Sequence, residues 1–160
     1  MDILVRNADG SYSWKPSNIV PANNLLTVAY TIGVFGVPDV DYNFASVANT
    51  AEQSIQIGAA AIMPANSCPI QIIIKCIDGL NGAITGTSDV GSTSGGNDYI
   101  SAADVDDTND MYRSTSGTGS FNIIVSASSV YFSFTPSANW NTITTGKWKI
   151  WISYIDNSNI

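Results

Sequence analysis

The stretch KWKIWISYI alternates along its length. Trp148, Ile150, Ile152 and Tyr154 fall on one side of an extended strand, and Lys147, Lys149, Trp151 and Ser153 on the other. The first set predicts a core face. Trp151 is then a large aromatic among polar positions, a placement that suits contact with a neighbouring subunit or a second layer. From residue 54 onward comparable short runs recur, SIQIGAA, PIQIIIKCI, GAITGTS, FNIIVSA and VYFSFTP, each set off by turn-rich segments. Near the start, ILVRNADGSYSW places Asp9 and Gly10 between two alternating runs and predicts a hairpin over residues 3–14. Between these parts, KPSNIVPANN carries two prolines, TVAYTIGVFGV is a strand broken by glycines, and VPDVDYNFASVANTAEQ suits a loop or a short helix. Short strands at this spacing predict an all-β protein: an antiparallel β-sandwich, jelly-roll-like, over residues 51–160, preceded by an N-terminal arm over residues 1–50. The segment 87–96, rich in Ser and Gly with little to bury, is expected to be exposed and mobile.

Composition agrees with strands joined by polar turns. Of 160 residues, 44% are hydrophobic and only 12% charged, enough apolar surface for one sizeable core, and Glu52 is the single glutamate. The formal net charge is −7, and the cations are Arg6, Lys15, Lys75, Arg113, Lys147 and Lys149. So few positive groups do not assemble a phosphate-neutralising surface, and nucleic acid is not an expected partner. No run approaches the roughly twenty apolar residues of a membrane span. The opening MDILVRNADG lacks a basic region followed by an apolar core, and no Asn-x-Ser/Thr acceptor occurs, so neither membrane insertion nor secretion is expected.

The candidate chemistry is sparse. Cys68 and Cys76 sit eight positions apart on one extended run, about 26 Å at strand rise, beyond disulfide reach. With no histidine and no third cysteine there is no zinc set, and both thiols are expected to act as small apolar residues beside Ile70, Ile72 and Ile74. Free thiols suit a chain made in a reducing cytosol. Imidazole-based nucleophile activation and general base work are excluded, and most aspartates lie beside Gly, Asn, Ser or Thr, as turn-capping residues do; the chain is not expected to be an enzyme. In SAADVDDTND, Asp104, Asp106 and Asp110, with Asp107 between them, fall at alternate positions as calcium-loop ligands do. Asn109 stands where that loop has glycine and Thr115 where it has its closing glutamate, so calcium is a weak candidate and no other cofactor is expected. Trp140, between Asn139 and Asn141 in a turn, is a candidate for stacking on a sugar ring.

Three segments carry a resemblance: IQIGAAAIMPANSCPIQIIIKCIDGLNGA, TGTSDVGSTSGGNDYISAADVDDTND and VYFSFTPSANWNTITTGKWKIWISYI. The first sets a Gly, an apolar pair and a Pro-Ala turn ahead of a strand that ends near a small Gly-rich turn. The second is a glycine- and aspartate-rich segment closing on Asp98 to Asp104, and in the third Thr145, Gly146 and Lys147 precede the final strand. Together, over about residues 54–155, they resemble structural proteins of tailed bacteriophages. The resemblance implies a virion protein made in the bacterial host cytoplasm, a capsid decoration or head fibre subunit with a jelly-roll β-sandwich, assembling as a homotrimer and attaching to capsid or other virion proteins. A compact β body with no catalytic residues fits that setting, and residues 1–24, which have no core of their own, are the candidate attachment arm. The residues expected at the attachment or subunit interface are Ile3, Val5, Tyr12, Trp14 and Trp151. The alternative is a receptor- or carbohydrate-binding module, a tail or fibre adhesin that meets host surface glycan through Trp140, Asn139 and Asn141.

Overall fold

In the computed structural model the described residues are 2–6, 12–16, 25–58, 62–114 and 127–156. They are nearly all β, and no described helix is long and apolar enough to cross a membrane. Eleven strands follow in chain order: β1 (Asp2–Arg6), β2 (Tyr12–Pro16), β3 (Leu25–Gly33), β4 (Tyr42–Asn43), β5 (Gln53–Ile57), β6 (Ser67–Asp78), β7 (Gly86–Gly91), β8 (Ile100–Asp104), β9 (Met111–Ser114), β10 (Val130–Pro136) and β11 (Lys147–Asp156). A 3-10 turn at Trp140–Thr142 lies between β10 and β11. The strands form a four-stranded sheet in the order β5-β10-β7-β8 and a five-stranded sheet in the order β4-β3-β11-β6-β9. All the pairings are antiparallel except the short β3/β4 contact. The expected antiparallel β fold is therefore present.

Among the described residues β1 and β2 pair only with each other, with Ile3 opposite Lys15, Val5 opposite Ser13, Leu4 opposite Trp14 and Arg6 opposite Tyr12; the Asp9 and Gly10 turn lies outside the described residues. The body begins earlier than residue 51. β3 pairs with β11 from Leu25↔Ile155 to Gly33↔Lys147, and Phe44 is in the core. The strand read in TVAYTIGVFGV is present as β3, and its pairing with β11 along the whole length makes it part of the body. The segment 87–96 also departs from its expectation: its first half is β7, hydrogen-bonded to β10 on one side and β8 on the other, with Ser88 and Val90 buried. The run FNIIVSA falls almost entirely outside the described residues.

β11 is the five-stranded sheet's central strand and shows the predicted alternation, with Trp148, Ile150, Ile152 and Tyr154 buried and Lys147, Lys149, Trp151 and Ser153 partly exposed. Ile72, Ile74 and Cys76 of β6 share its inner face. Cys68 and Ile70 do not. The register against β11 shifts at both ends of β6, so that Ile70 and Ile77 are skipped in the pairing; both are exposed, and Cys68 is only half-buried. A bulge reverses the side-chain parity beyond it, which is why strict alternation fails there.

Aromatic rings fill the space between the sheets. Phe132 and Phe134 of β10 meet Trp148 of β11, with Phe44 and Trp140 packed beside them, all at centroid separations of 4.6 to 6.5 Å. Each buried indole N–H finds a loop carbonyl: Trp148 Nε1 donates to Val105 O at 2.7 Å, and Trp140 Nε1 to Ala51 O at 2.8 Å. These bonds satisfy the buried donors and tie the loops down onto the core. Gly86 makes the packing possible, since a Cβ there would lie 2.3 Å from Phe134 Cζ.

Candidate functional site

β8 ends at Asp104, and the chain then turns through residues 105–110 before β9. That turn is tied to the end of β6 by Cys76 N donating to Asp110 O, Asn109 N to Cys76 O, and Leu80 N to Asp106 O. The consequence is a close meeting of Asp104, Asp106 and Asp110, each offering a carboxylate oxygen, all within 4.8 Å of one another. Asp106 is only 6% exposed, and its Oδ2 accepts the Gly86 N–H at 2.7 Å. Asp110 Oδ2 accepts the Asp107 N–H at 3.0 Å. Burial pushes the Asp106 carboxyl above the usual carboxylate range; the Gly86 N–H opposes this, while the charges of Asp104 and Asp107 and a hydrogen bond to Asp104 add to it.

A cleft of about 610 Å³ opens beside these carboxylates, lined also by Thr85, Thr87, Thr135 and Ser137. An all-oxygen set of this kind matches the ligand preference of a hard cation such as calcium, and the three carboxylates would supply part of the six to eight oxygens it takes. The surroundings differ from a calcium loop, which is flanked by helices; here β8 and β9 flank the turn.

Trp140 is 2% exposed. Its ring lies 4.6 Å from Phe44 and 5.9 Å from Phe134, and the backbone around it is held by Trp140 N donating to Asn49 O and Asn141 N to Val47 O. This corrects the sugar-stacking expectation: the indole has no open face, and Asn139 and Asn141 merely flank a core residue.

Of the residues expected at an interface, Ile3 and Val5 lie on β1, and Tyr12 and Trp14 on β2. Trp151 lies far from them in sequence, half-buried on the outer face of the five-stranded sheet, with Lys149 Nζ 5.4 Å from the centre of its ring. Directly opposite Trp151 are Ala29 of β3 and Ile73 of β6. The sequence pattern did not associate Lys75 and Arg113 with this face. Their place follows from the pairing of β6 with β11 and β9, which a single sequence does not state.

No family model matches the chain, and no curated protein matches it. Among solved structures, a chain of the cyanophage Pam1 capsid asymmetric unit matches with a TM-score of 0.54 at 14% identity, covering 82% of this chain and 84% of that one. A chain of the capsid of Ralstonia phage GP4 matches with a TM-score of 0.54 at 18% identity, covering 83% and 84%. Both neighbours belong to phage capsids. At these identities the likeness is one of fold, and the near-equal coverages make the neighbours similar in length to this chain.

Proposed function

We propose that the chain is a non-enzymatic structural protein of a tailed-phage particle, a decoration or head fibre subunit that adds to the capsid shell as a homotrimer. The observation that carries this reading is the fold-level match to two phage capsid chains over more than four-fifths of each partner. The match takes in 84% of each neighbouring chain, which supports a subunit of comparable size. The interior is consistent with such a role. It is filled by interlocking aromatics, and the sequence has no histidine to serve the carboxylates that meet at Asp104, Asp106 and Asp110.

The β1/β2 hairpin is the attachment arm. Among the described residues it pairs with no strand of the body, which leaves its backbone edges for a neighbour's sheet or for the shell.

The test is cosedimentation of the purified chain with capsid shells assembled without it, alongside a chain lacking residues 1–24. The full chain is expected to sediment with the shells at fixed stoichiometry and the shortened chain to stay in solution. A full chain that stays in solution would overturn the reading, and a shortened chain that still sediments would move the attachment to the body.

A further inference from the structure

Between residues 25 and 156 the chain has four cations, Lys75, Arg113, Lys147 and Lys149, against eleven acidic residues. All four cations stand on the outer face of the five-stranded sheet. Strand alternation puts Lys147 and Lys149 opposite to the buried Trp148 and Ile150. The register then places Lys75 directly beside Lys149, and Arg113 beside Ile73, itself the neighbour of Trp151. Two adjacent rows result, Thr31–Lys149–Lys75–Met111 and Ala29–Trp151–Ile73–Arg113.

This arrangement is unfavourable for an isolated chain. Like charges directly opposite on neighbouring strands repel, and here Lys75 and Lys149 are so placed. The same face carries large apolar groups, with Met111 58% exposed and Trp151 and Ile73 half-buried. Among the described residues, the acidic group in register with these cations is Asp78, at the rim beside Lys147. A covering surface that is acidic would relieve the repulsion and bury the apolar groups together.

We propose that this face docks the acidic turn of a second copy of the same chain. The turn, residues 104–110, brings Asp104, Asp106, Asp107 and Asp110 together, and Asp104 and Asp107 are exposed. It is the densest group of acidic residues in the chain and the complement of the basic rows. A face-to-face pairing of two identical sheets would set cations against cations. The contact is instead directional, basic face to acidic turn, and repeats around a closed ring or along a filament. It is made by the chain with itself, so it is measured without any capsid shell.

The test is the native mass of the full chain by light scattering, at low salt and again at about 1 M salt, where the screening length falls to about 3 Å. Wild type is expected to associate at low salt and to dissociate as salt rises. Lys75→Glu with Lys149→Glu is expected to be monomeric, as is Asp104→Lys with Asp107→Lys, each still folded, with one cooperative unfolding transition. Mixing the two variants sets a basic face against an acidic turn in one direction and an acidic face against a basic turn in the other, so heteroassociation is expected to return. A monomeric wild type at low salt, or association that survives both pairs of substitutions, would overturn the proposal. Loss in both variants without recovery on mixing would overturn the acidic turn as the occupant.

Discussion

Phe134 of the four-stranded sheet lies against Trp148 of the five-stranded sheet with ring centroids 4.7 Å apart, closer than Phe132 lies to the same indole at 5.9 Å. Phe134→Ala removes that contact together with those to Phe44 and Trp140, and is expected to cost about 3–5 kcal/mol in denaturant unfolding. Gly86→Ala reaches the same pair from the other side. Its added methyl group would displace Phe134, with an expected loss of about 1–3 kcal/mol.

Trp140 carries the sharpest distinction between packing and recognition. Trp140→Ala is expected to destabilise by about 3–5 kcal/mol, while Asn139→Ala and Asn141→Ala stay within about 0.5 kcal/mol of wild type. Thermal unfolding of the three variants measures this. A Trp140→Ala protein with an unchanged midpoint would contradict the burial of the indole.

The Asp106 carboxyl has a definite pH signature. Its folded pKa is raised above the unfolded value, so the folded state holds the proton more firmly, and stability falls as pH rises through the folded pKa. Asp106→Asn keeps an oxygen to accept the Gly86 N–H and removes the buried charge. Its melting temperature is expected to exceed that of wild type at neutral pH, and the difference to shrink as pH falls toward about 4, the ordinary carboxylate range. A constant difference across that range would mean that the raised Asp106 pKa is not linked to folding.

The thiols should separate under a thiol reagent. Burial, with the charge of Asp110 and its neighbours, pushes Cys76 up to about 12, and its Sγ donates to Asp78 O. Cys76 is expected to stay unlabelled at pH 8 until the protein is denatured, and mass spectrometry after labelling should show at most one native adduct, at Cys68.

Strongly patterned segments are legible in the amino-acid sequence alone. KWKIWISYI declares both of its faces, VYFSFTP and the centre of PIQIIIKCI supply the inner positions, and the spacing of Asp104, Asp106 and Asp110 anticipates carboxylates that meet. Other features are hidden because distant backbone decides them. ISAAD and MYRS are short edge strands without apolar alternation, held by pairing to β7 and β6. TSDVG is a strand because it has partners on both sides. Ile70 sits at a bulge that only the β11 register reveals, and Trp140 is buried by core rings and by a carbonyl, that of Ala51, 89 positions away. The basic face is the same kind of fact: its members are scattered from Lys75 to Lys149, and the sheet gathers them.

The central place of β11 has a consequence for synthesis. β3 and β6, nine and twelve residues long, are not neighbours in their sheet; the strand between them is translated after both. Until residue 156 has left the ribosome, each presents a long unpaired edge, and the aromatic core lacks Trp148. Folding of the body is therefore expected to be late and all-or-none. Nascent chains stalled before Lys147 should be protease-sensitive and prone to join one another, whereas the released 160-residue chain should be resistant.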